Sequence, residues 1–214
     1  MGGLIEDDHW HAAREAMVRE TVEARGIHDP DVLRAMRAVP RERFVPSPLR
    51  SKAYADEPLA LPDGQSISQP YIVAEMAALA EVRPGTRVLD VGTGSGYQAA
   101  VLAEIGAQVW SVERIPSLAA TARSTLDAAG YGAVSVHVAD GREGWPAEAP
   151  YDAILVAAAT ERVPEPLLDQ LAVEGRLVIP VGDEHHQELV VFQRMPWGEI
   201  TRHALMRVLF VPLV

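Results

Sequence analysis

The chain has 214 residues, a hydrophobic content of 48% and a formal net charge of −11, which is typical of one α/β domain with its own core rather than a disordered or membrane protein. The Cys count of 0 excludes a disulfide framework, a thiolate nucleophile and Cys-ligated zinc. The acidic balance argues against a non-specific grip on nucleic acid or anionic lipid, since both need a basic face.

The opening residues 1–8 lack the basic and then apolar stretches of a signal peptide. No run approaches the roughly 20 apolar residues of a membrane span. We therefore expect a cytoplasmic monomer with no nucleic-acid partner and no membrane partner.

The first third of the chain predicts helices around a proline-rich stretch. Apolar residues recur at helical spacing through residues 9–25 and stop at Gly26, and Asp29-Pro30 opens a second helix. Residues 40–66 are so rich in Pro that they predict irregular chain wrapped over a scaffold. Ser68-Gln69-Pro70 then offers a cap and a first-turn proline for a third helix.

From residue 87 onward, short apolar strands alternate with helices. The predicted strands are 87–91, 108–112, 134–138, 153–157 and 175–181, with helices near 97–105, 117–129 and 165–172 between most of them. This alternation is typical of a parallel sheet covered on both faces. Two last apolar runs, Glu188 to Arg194 and His203 to Pro212, flank a Pro-Trp-Gly turn and predict a terminal antiparallel pair.

The predicted fold is therefore α/β, with a doubly wound, mostly parallel seven-stranded sheet of the Rossmann-like kind and an N-terminal helical extension. Residues 1–66 are expected to form the N-terminal helices and a proline-rich cap within the same domain. Residues 67–214 are expected to form the cofactor-binding core.

A glycine turn follows the first core strand, in the run from Val88 to Tyr97. Its glycines can adopt positive φ and admit ligand atoms close to the backbone, and the next helix directs free N–H groups at the ligand. A dinucleotide site favours G-x-G-x-x-G, whereas the spacing here is G-x-G-x-G. The difference favours S-adenosylmethionine over NAD, with predicted contacts at Asp90, Gly92, Thr93, Gly94, Ser95 and Gly96.

Polar groups end two neighbouring strands, where ligands bind in open α/β sheets. Glu113 lies about 20 residues beyond the first glycine, where a carboxylate accepts hydrogen bonds from ribose hydroxyls. Asp140 can accept a hydrogen bond from an adenine amino group, and Gly141 leaves room for the ring. Asp90 anchors the turn, binds the methionine amine or serves only as a structural cap.

Four stretches of the chain carry a more specific resemblance: Gly64 to Ala74, the glycine turn, Val138 to Gly141, and Gly175 to Gly182. With them, the chain from about Val39 to its end resembles the protein-L-isoaspartate O-methyltransferase family. The motif Ser68-Gln69-Pro70-Tyr71 discriminates far better than G-x-G-x-G, which many methyltransferases share.

The resemblance implies transfer of a methyl group from S-adenosylmethionine to the free carboxylate of L-isoaspartyl residues in damaged peptides and proteins, which starts their repair. It implies that Gln65, Ser66, Ile67 and Ser68 line the cofactor and substrate cleft, with Ser68 catalytic. It also implies cofactor contacts at the glycine turn, Glu113, Asp140 and Gly141.

The chemistry of Ser68 fits orientation rather than nucleophilic attack. A substrate carboxylate of pKa near 4 is already ionised at neutral pH and needs no strong base. A hydroxyl at a helix start could donate a hydrogen bond to that carboxylate while the helix N-terminus attracts its charge. From position alone, Ser68 is a simple N-cap.

Two segments depart from the family pattern. Ala159-Thr160-Glu161-Arg162 lacks the proline that the family commonly has near Thr160, and this segment borders the expected substrate cleft. Ala172-Val173-Glu174-Gly175 replaces a commoner Lys-Pro-Gly-Gly in an expected surface turn.

Other residues and functions stay open. The loop Asp183 to Glu188 contains adjacent histidines, which are more often solvated than metal-bound, and no metal is predicted. Tyr97 either borders the adenosine or packs in the core. One alternative is a carboxyl methyltransferase for aspartate in one dedicated peptide. A second is an NAD-dependent oxidoreductase, which Asp140-Gly141 and the glycine spacing disfavour. A third is a non-catalytic nucleotide-binding module, which is disfavoured because such a module would be expected to have lost Glu113 or Ser68, and both are present.

Overall fold

The computed structural model describes residues 2–214, with side chains from His9 onward. The expectation of a cytoplasmic location used residues 1–8, whose side chains lie outside this description. The α-helices are α1 (Gly2–Met17), α2 (Pro30–Ala38), α3 (Pro70–Leu79), α4 (Tyr97–Ile105), α5 (Pro116–Ala129) and α6 (Glu165–Asp169). The strands are β1 (Leu59–Ala60), β2 (Ser66–Ile67), β3 (Arg87–Val91), β4 (Gln108–Glu113), β5 (Ser135–Val138), β6 (Tyr151–Val156), β7 (Leu171–Gly182), β8 (Gln187–Arg194) and β9 (Ile200–Val208).

The main sheet has seven strands in the order β5-β4-β3-β6-β7-β8-β9. The pairs from β5 to β7 are parallel, and β7, β8 and β9 pair antiparallel. The predicted mostly parallel seven-stranded sheet is confirmed. Because β4 and β6 lie on opposite sides of β3, the strand order reverses at β3, and a crevice opens beyond the carboxyl end of that strand.

The core lies on both faces of this sheet, as the alternation of side chains along β3 shows. Val88 belongs to one buried cluster, whereas Leu89 and Val91 belong to the other. The first cluster also contains residues of the N-terminal helices, including Met17, Val18, Val32 and Met36. The N-terminal helices therefore cover one face of the sheet. The expected boundary between residues 66 and 67 falls inside β2.

The predicted N-terminal helices are present, with differences at their ends. The helix predicted over residues 9–25 begins at Gly2, continues through a π-helical turn (Val18–Val22) and a 3₁₀ turn (Glu23–Arg25), and ends at Gly26, whose φ is 96°. The predicted start of α2 is confirmed, because the Asp29 carboxylate accepts hydrogen bonds from two backbone N–H groups of its first turn. Among the described residues, no helix combines the length and apolarity needed to cross a bilayer.

The proline-rich stretch 40–66 contains structure that the sequence did not predict. Several 3₁₀ turns run through it, and β1 pairs antiparallel with β2 to form a small hairpin. Two-residue strands are too short to show a period, so no pattern in the sequence could reveal them. The hairpin positions Ser66 and Ile67 directly before α3.

Two predicted boundaries near the C-terminus were wrong. The helix predicted over residues 165–172 ends at Asp169, because Leu171 is buried and pairs with Tyr151 at the start of a longer β7. The strand predicted over 203–212 begins at Ile200 and ends at Val208. The residues after it leave the sheet edge and pair elsewhere, as described below.

Candidate functional site

The glycine turn occupies the crevice at the end of β3. Gly92, Gly94 and Gly96 have φ values of 93°, 53° and 88°, a region that costs little only for glycine. Gly96 also caps α4, and a Cβ at this position would lie 3.1 Å from Leu126 Cγ. A side chain at Gly96 would therefore crowd Leu126, whereas at Gly92 and Gly94 the positive φ is the main reason for glycine.

Glu113, at the end of β4, fastens this turn. One carboxylate oxygen accepts a hydrogen bond from Gly94 N at 2.9 Å, and the other accepts one from Ile115 N at 2.9 Å. The side chain is buried. Glu113 thus connects the glycine turn to the start of α5, and it lines the crevice between them.

Asp90 lies beneath the turn and is fully buried. Its carboxylate accepts hydrogen bonds from Gln98 Nε2 at 2.8 Å and Ser111 Oγ at 2.7 Å, and the Ser111 hydroxyl lies 2.6 Å from that of Thr93. Burial raises the pKa of Asp90 to about 6, although the Ser111 and Gln98 hydrogen bonds oppose this shift. Asp90 and Thr93 therefore brace the turn from inside.

Two predicted site residues follow β5: Gly141, whose backbone packs against Val91, and Asp140, whose carboxylate is already hydrogen-bonded. A Cβ on Gly141 would lie 2.6 Å from Val91 Cγ1, so only glycine fits here without a shift. The Asp140 carboxylate accepts hydrogen bonds from Arg142 N at 2.9 Å and from Arg142 Nη2 at 2.7 Å. These contacts hold the pKa of Asp140 below its ordinary value.

A cavity of about 210 Å³, the glycine-turn cavity, brings many of the predicted residues together. Of those predicted, it is lined by Gln65, Ser66, Gly92, Gly94, Glu113 and Gly141. The other predicted residues lie outside its lining: Ile67, Ser68, Asp90, Thr93, Ser95, Gly96 and Asp140. Ser95 instead accepts a hydrogen bond from Tyr97 N at 3.3 Å. Ile67, which pairs with Leu59 in the β1–β2 hairpin, is buried in the core.

The C-terminal segment Val211–Val214 also lines the glycine-turn cavity, which the sequence reasoning missed. Ala159 N donates a hydrogen bond to Val211 O, and Leu213 N donates one to Ala159 O. The Gln187 side chain is buried and both accepts from Phe210 N and donates to Phe210 O. The apolar run at the C-terminus was a signal of order, but it indicated a strand rather than a cavity wall.

The family departure at Ala159 to Arg162 therefore borders this C-terminal wall. Thr160 O accepts a hydrogen bond from Gly182 N at 2.9 Å, and Thr160 N donates to Pro180 O at 3.2 Å. The other departure is at the surface, as expected, because Val173 is 63% exposed.

The tip of the β1–β2 hairpin covers the glycine turn. A Cβ on Gly94 would lie 3.6 Å from Leu61 Cδ1. Ser117 at the start of α5 donates a hydrogen bond to the Asp63 carboxylate at 3.3 Å. Leu61 and Asp63 belong to the proline-rich stretch, so the tip of this cap is held over the crevice by side-chain contacts.

A second cavity of about 330 Å³, the Ser68 cavity, adjoins the segment Gln65–Ser68, which contributes to the linings of both cavities. Ser66 lines both cavities, whereas Ser68 lines only this second one. The opposite wall is formed by residues 206–210. The charged side chains in its lining are Arg25 and Arg207, which make this cavity basic within an acidic protein.

The expectation that Ser68 caps α3 was wrong. Gln69 is the cap residue, and Ser68 lies one residue before it. The Asp56 carboxylate accepts a hydrogen bond from Tyr71 N at 3.1 Å in the first turn of α3, and it also pairs with Arg25 at 2.8 Å. Because Asp56 already occupies the helix N-terminus, that terminus is not free to attract a substrate carboxylate. The Ser68 hydroxyl has no hydrogen-bond partner among the described residues.

Tyr97 packs in the core. Its side chain is 1% exposed, and its ring lies edge-on to Phe44 at a centroid distance of 5.7 Å. The side chains of Asp183 to His186 are exposed, as expected for a solvated loop. Among the described side chains, no group of three or more His, Cys, Asp or Glu is arranged to hold a metal ion, and the absence of a metal stays a prediction.

Comparisons with known proteins point in one direction. A sequence profile of the family described as "Protein-L-isoaspartate(D-aspartate) O-methyltransferase (PCMT)" matches residues 12–214. A protein-L-isoaspartate O-methyltransferase of Gloeobacter violaceus is 52% identical over 198 residues, covering 92% of this chain and 96% of the relative. One from Methanoculleus marisnigri is 51% identical over 210 residues, covering 98% of this chain and 95% of the relative.

A solved structure is also similar along almost the whole chain. It is a Plasmodium falciparum chain described as a protein-L-isoaspartate O-methyltransferase in complex with S-adenosyl-L-homocysteine, with a TM-score of 0.82 and 26% identity. The match covers 94% of this chain and 98% of that one.

Because the pKa of Asp90 is raised in the folded protein, we expect the free energy of unfolding to depend on pH. Between about pH 4 and pH 6, the unfolded state releases this proton and the folded state keeps it, so stability falls as pH rises through this window. A shift from 3.8 to about 6 corresponds to roughly 3 kcal/mol. Asp90→Asn removes the titration, so its free energy of unfolding should rise relative to wild type by about that amount from pH 4 to pH 7.

Urea unfolding of both proteins across this pH range measures the difference. Asp152→Asn, at an exposed carboxylate of the same sheet, is the matched control. A difference between Asp90→Asn and wild type that stays flat with pH would contradict the assignment.

Proposed function

Because the chain belongs to the protein-L-isoaspartate(D-aspartate) O-methyltransferase family, as its motifs predicted, we propose that it transfers a methyl group from S-adenosylmethionine to the free carboxylate of L-isoaspartyl residues in damaged peptides and proteins. This reaction starts repair of the abnormal linkage. The chain is thus an enzyme with a Rossmann-like methyltransferase fold.

The observation that carries this proposal is the position of the segment Gln65–Ser68 between two cavities. Ser66 lines both, with the glycine turn and Glu113 on one side and Ser68 on the other. A methyl donor and a carboxylate acceptor must approach each other along one line, and two cavities that share a wall segment allow this.

The glycine-turn cavity fits S-adenosylmethionine. Glu113 is positioned to accept hydrogen bonds from ribose hydroxyls while it holds Gly94. Gly141 packs directly against Val91, and both residues line the cavity, so a flat ring could lie along this part of its wall. Asp140 can accept from an adenine amino group only if it shares or releases a contact with Arg142. When bound, the cofactor supplies a methyl group on a positively charged sulfonium.

The Ser68 cavity fits a substrate that carries a carboxylate. Arg25 and Arg207 line it, and Arg207 has no ion pair among the described residues. In a protein with a net charge of −11, two guanidinium groups at this cavity favour an anionic ligand locally. Arg25 is partly neutralised by Asp56, so Arg207 supplies more of this attraction.

Ser68 orients the acceptor in this proposal. Its hydroxyl is unoccupied by the described residues and can donate a hydrogen bond to one oxygen of the substrate carboxylate. A neutral donor orients the carboxylate without removing its charge, so the other oxygen keeps its nucleophilicity. No proton has to move, because the acid is already ionised at neutral pH.

The remaining expectations are part of this proposal. They are a monomeric enzyme in the cytoplasm, with no nucleic-acid partner, in which residues 1–66 act as a cap within a single domain. Protein and peptide substrates with isoaspartyl residues follow from the family.

Two peptides that differ only in one isoaspartyl or aspartyl linkage test the function. Incubated with S-adenosylmethionine, the isoaspartyl peptide alone should gain a methyl ester, which mass spectrometry detects as added mass. Methylation of the aspartyl peptide instead would favour the dedicated-peptide alternative. Methylation of neither peptide by protein that binds S-adenosylhomocysteine would contradict the repair function.

Ser68→Ala should lower kcat on the isoaspartyl peptide by about 10- to 100-fold, the range expected for one hydrogen bond to a charged group. Affinity for S-adenosylhomocysteine should be nearly unchanged, because Ser68 lies outside the lining of the glycine-turn cavity. Ser68→Thr keeps the hydroxyl and should retain part of the activity. A methylated or acylated Ser68 intermediate, detected by mass, would overturn the orienting role.

Glu113→Gln should weaken S-adenosylhomocysteine binding by roughly 10- to 100-fold. The amide offers one acceptor oxygen in place of two, so it cannot hold both Gly94 N and Ile115 N and also accept from a ribose. Isothermal titration calorimetry measures the change. Glu184→Gln, at an exposed glutamate of the β7–β8 loop, is the control, and equal affinities in the two variants would argue against the contact.

A further inference from the structure

Arg41 is a fully buried guanidinium at the meeting point of three segments, and nothing in the proposed chemistry so far uses it. It lies in a 3₁₀ turn (Arg41–Arg43) of the proline-rich stretch. Its Nε donates to Ala53 O at 2.7 Å, and its Nη2 donates to Ser68 O at 2.8 Å. Its Cζ lies 4.7 Å from the centre of the Tyr97 ring.

Each contact of Arg41 belongs to a different part of the site. Ala53 is in the proline-rich cap, Ser68 carries the orienting hydroxyl, and Tyr97 is the first residue of α4 after the glycine turn. The planar guanidinium offers donors in a rigid fork and a face for an aromatic ring. Arg41 therefore fixes the backbone of Ser68 relative to the helix that begins at the glycine turn.

Burying the Arg41 guanidinium lowers the stability of the fold. Arg41 forms no ion pair among the described residues, and its Nη1 is buried without a hydrogen-bond partner there. Burial lowers the pKa of Arg41 below its ordinary value. Apolar side chains of similar volume commonly replace buried ion pairs at little cost or with a gain in stability, and Arg41 lacks even the attraction of such a pair among the described residues. A role other than stability therefore accounts better for a guanidinium at this position.

We infer that Arg41 is a positioning residue: by bridging the Ser68 carbonyl to the Ala53 carbonyl and the Tyr97 ring, it sets where the Ser68 hydroxyl meets the substrate carboxylate. The inference rests on the proposed methyltransferase function. Displacement of a reacting group by about 1 Å can cost about 100-fold in rate. Arg41 acts through Ser68 and makes no contact with the substrate itself.

The experiment compares the full-length wild type with Arg41→Met, Arg41→Lys and Tyr54→Phe. Methionine keeps an unbranched apolar side chain but removes the hydrogen-bond donors, and lysine keeps the positive charge without the planar, forked guanidinium. Tyr54→Phe is the matched control, because it removes the hydrogen bond from Tyr54 to Glu42 in the same cap without touching Ser68. The readouts are kcat and KM on the isoaspartyl peptide, Kd for S-adenosylhomocysteine, and hydrogen exchange of residues 66–72 in the free protein.

Arg41→Met should lower kcat per folded molecule by about 100-fold, leave the Kd for S-adenosylhomocysteine nearly unchanged, and speed exchange in residues 66–72. Arg41→Lys should recover part of the rate, and Tyr54→Phe should keep nearly all of it. A purely structural role would instead lower stability and leave kcat per folded molecule at the wild-type value, which would overturn the inference.

The outcomes stay informative if a step fails. If Arg41→Met does not fold, Arg41→Lys decides, since an unchanged kcat in that variant overturns the inference and a clear loss supports it. If the wild type methylates neither peptide, the proposed function fails by itself. Arg41 is then judged by hydrogen exchange alone, and unchanged protection of residues 66–72 overturns its positioning role.

Discussion

The Glu113 carboxylate is the contact on which the site depends, because it holds the glycine turn after β3 and the start of α5 in one geometry. Its two oxygens bind Gly94 N and Ile115 N, so the turn is fixed from outside its own strand. From inside, the buried Asp90 network braces the same turn. Ordering a turn with positive φ at three glycines costs conformational entropy, and these hydrogen bonds offset part of that cost. With the turn fixed, the crevice beside β3 becomes a shaped cavity.

The walls of that cavity come from segments that are far apart in the chain, from Asp63 to Val214, and in the proposed function this arrangement lets cofactor and substrate meet. The segment before α3 separates the glycine-turn cavity from the Ser68 cavity, with Ser66 facing both. The chain after β9 passes along both cavities, held by the Gln187 amide and by Ala159. Phe210 lines the Ser68 cavity and Val211 the glycine-turn cavity. In the proposed function, one short C-terminal segment thus borders both the methyl donor and the acceptor.

The charges of the site divide into those that face the cavities and those that support them. Arg25 and Arg207 face the Ser68 cavity and suit an anionic acceptor in an otherwise acidic protein. Asp90 and Arg41 are fully buried and hold backbone or neighbouring side chains in place. Buried charges of this kind cost stability. Because Asp90 lies beneath the glycine turn and Arg41 behind Ser68, we relate this cost to the precise geometry that the proposed function needs. Methyl transfer to an ionised carboxylate needs such positioning more than it needs acid–base catalysis.

The periodicity of the chain was enough to predict the sheet, its parallel strands, the N-terminal helices and the glycine turn, because these depend on local spacing of apolar residues and glycines. The family prediction came instead from a resemblance, carried above all by the motif Ser68-Gln69-Pro70-Tyr71. Local spacing could not show that Asp56 occupies the start of α3 or that the C-terminal run leaves the sheet to line a cavity. Nor could it show that Arg41 lies behind Ser68. Those relations join residues that are far apart in the chain or compete for the same partner, so they exist only once the strands and helices have packed together.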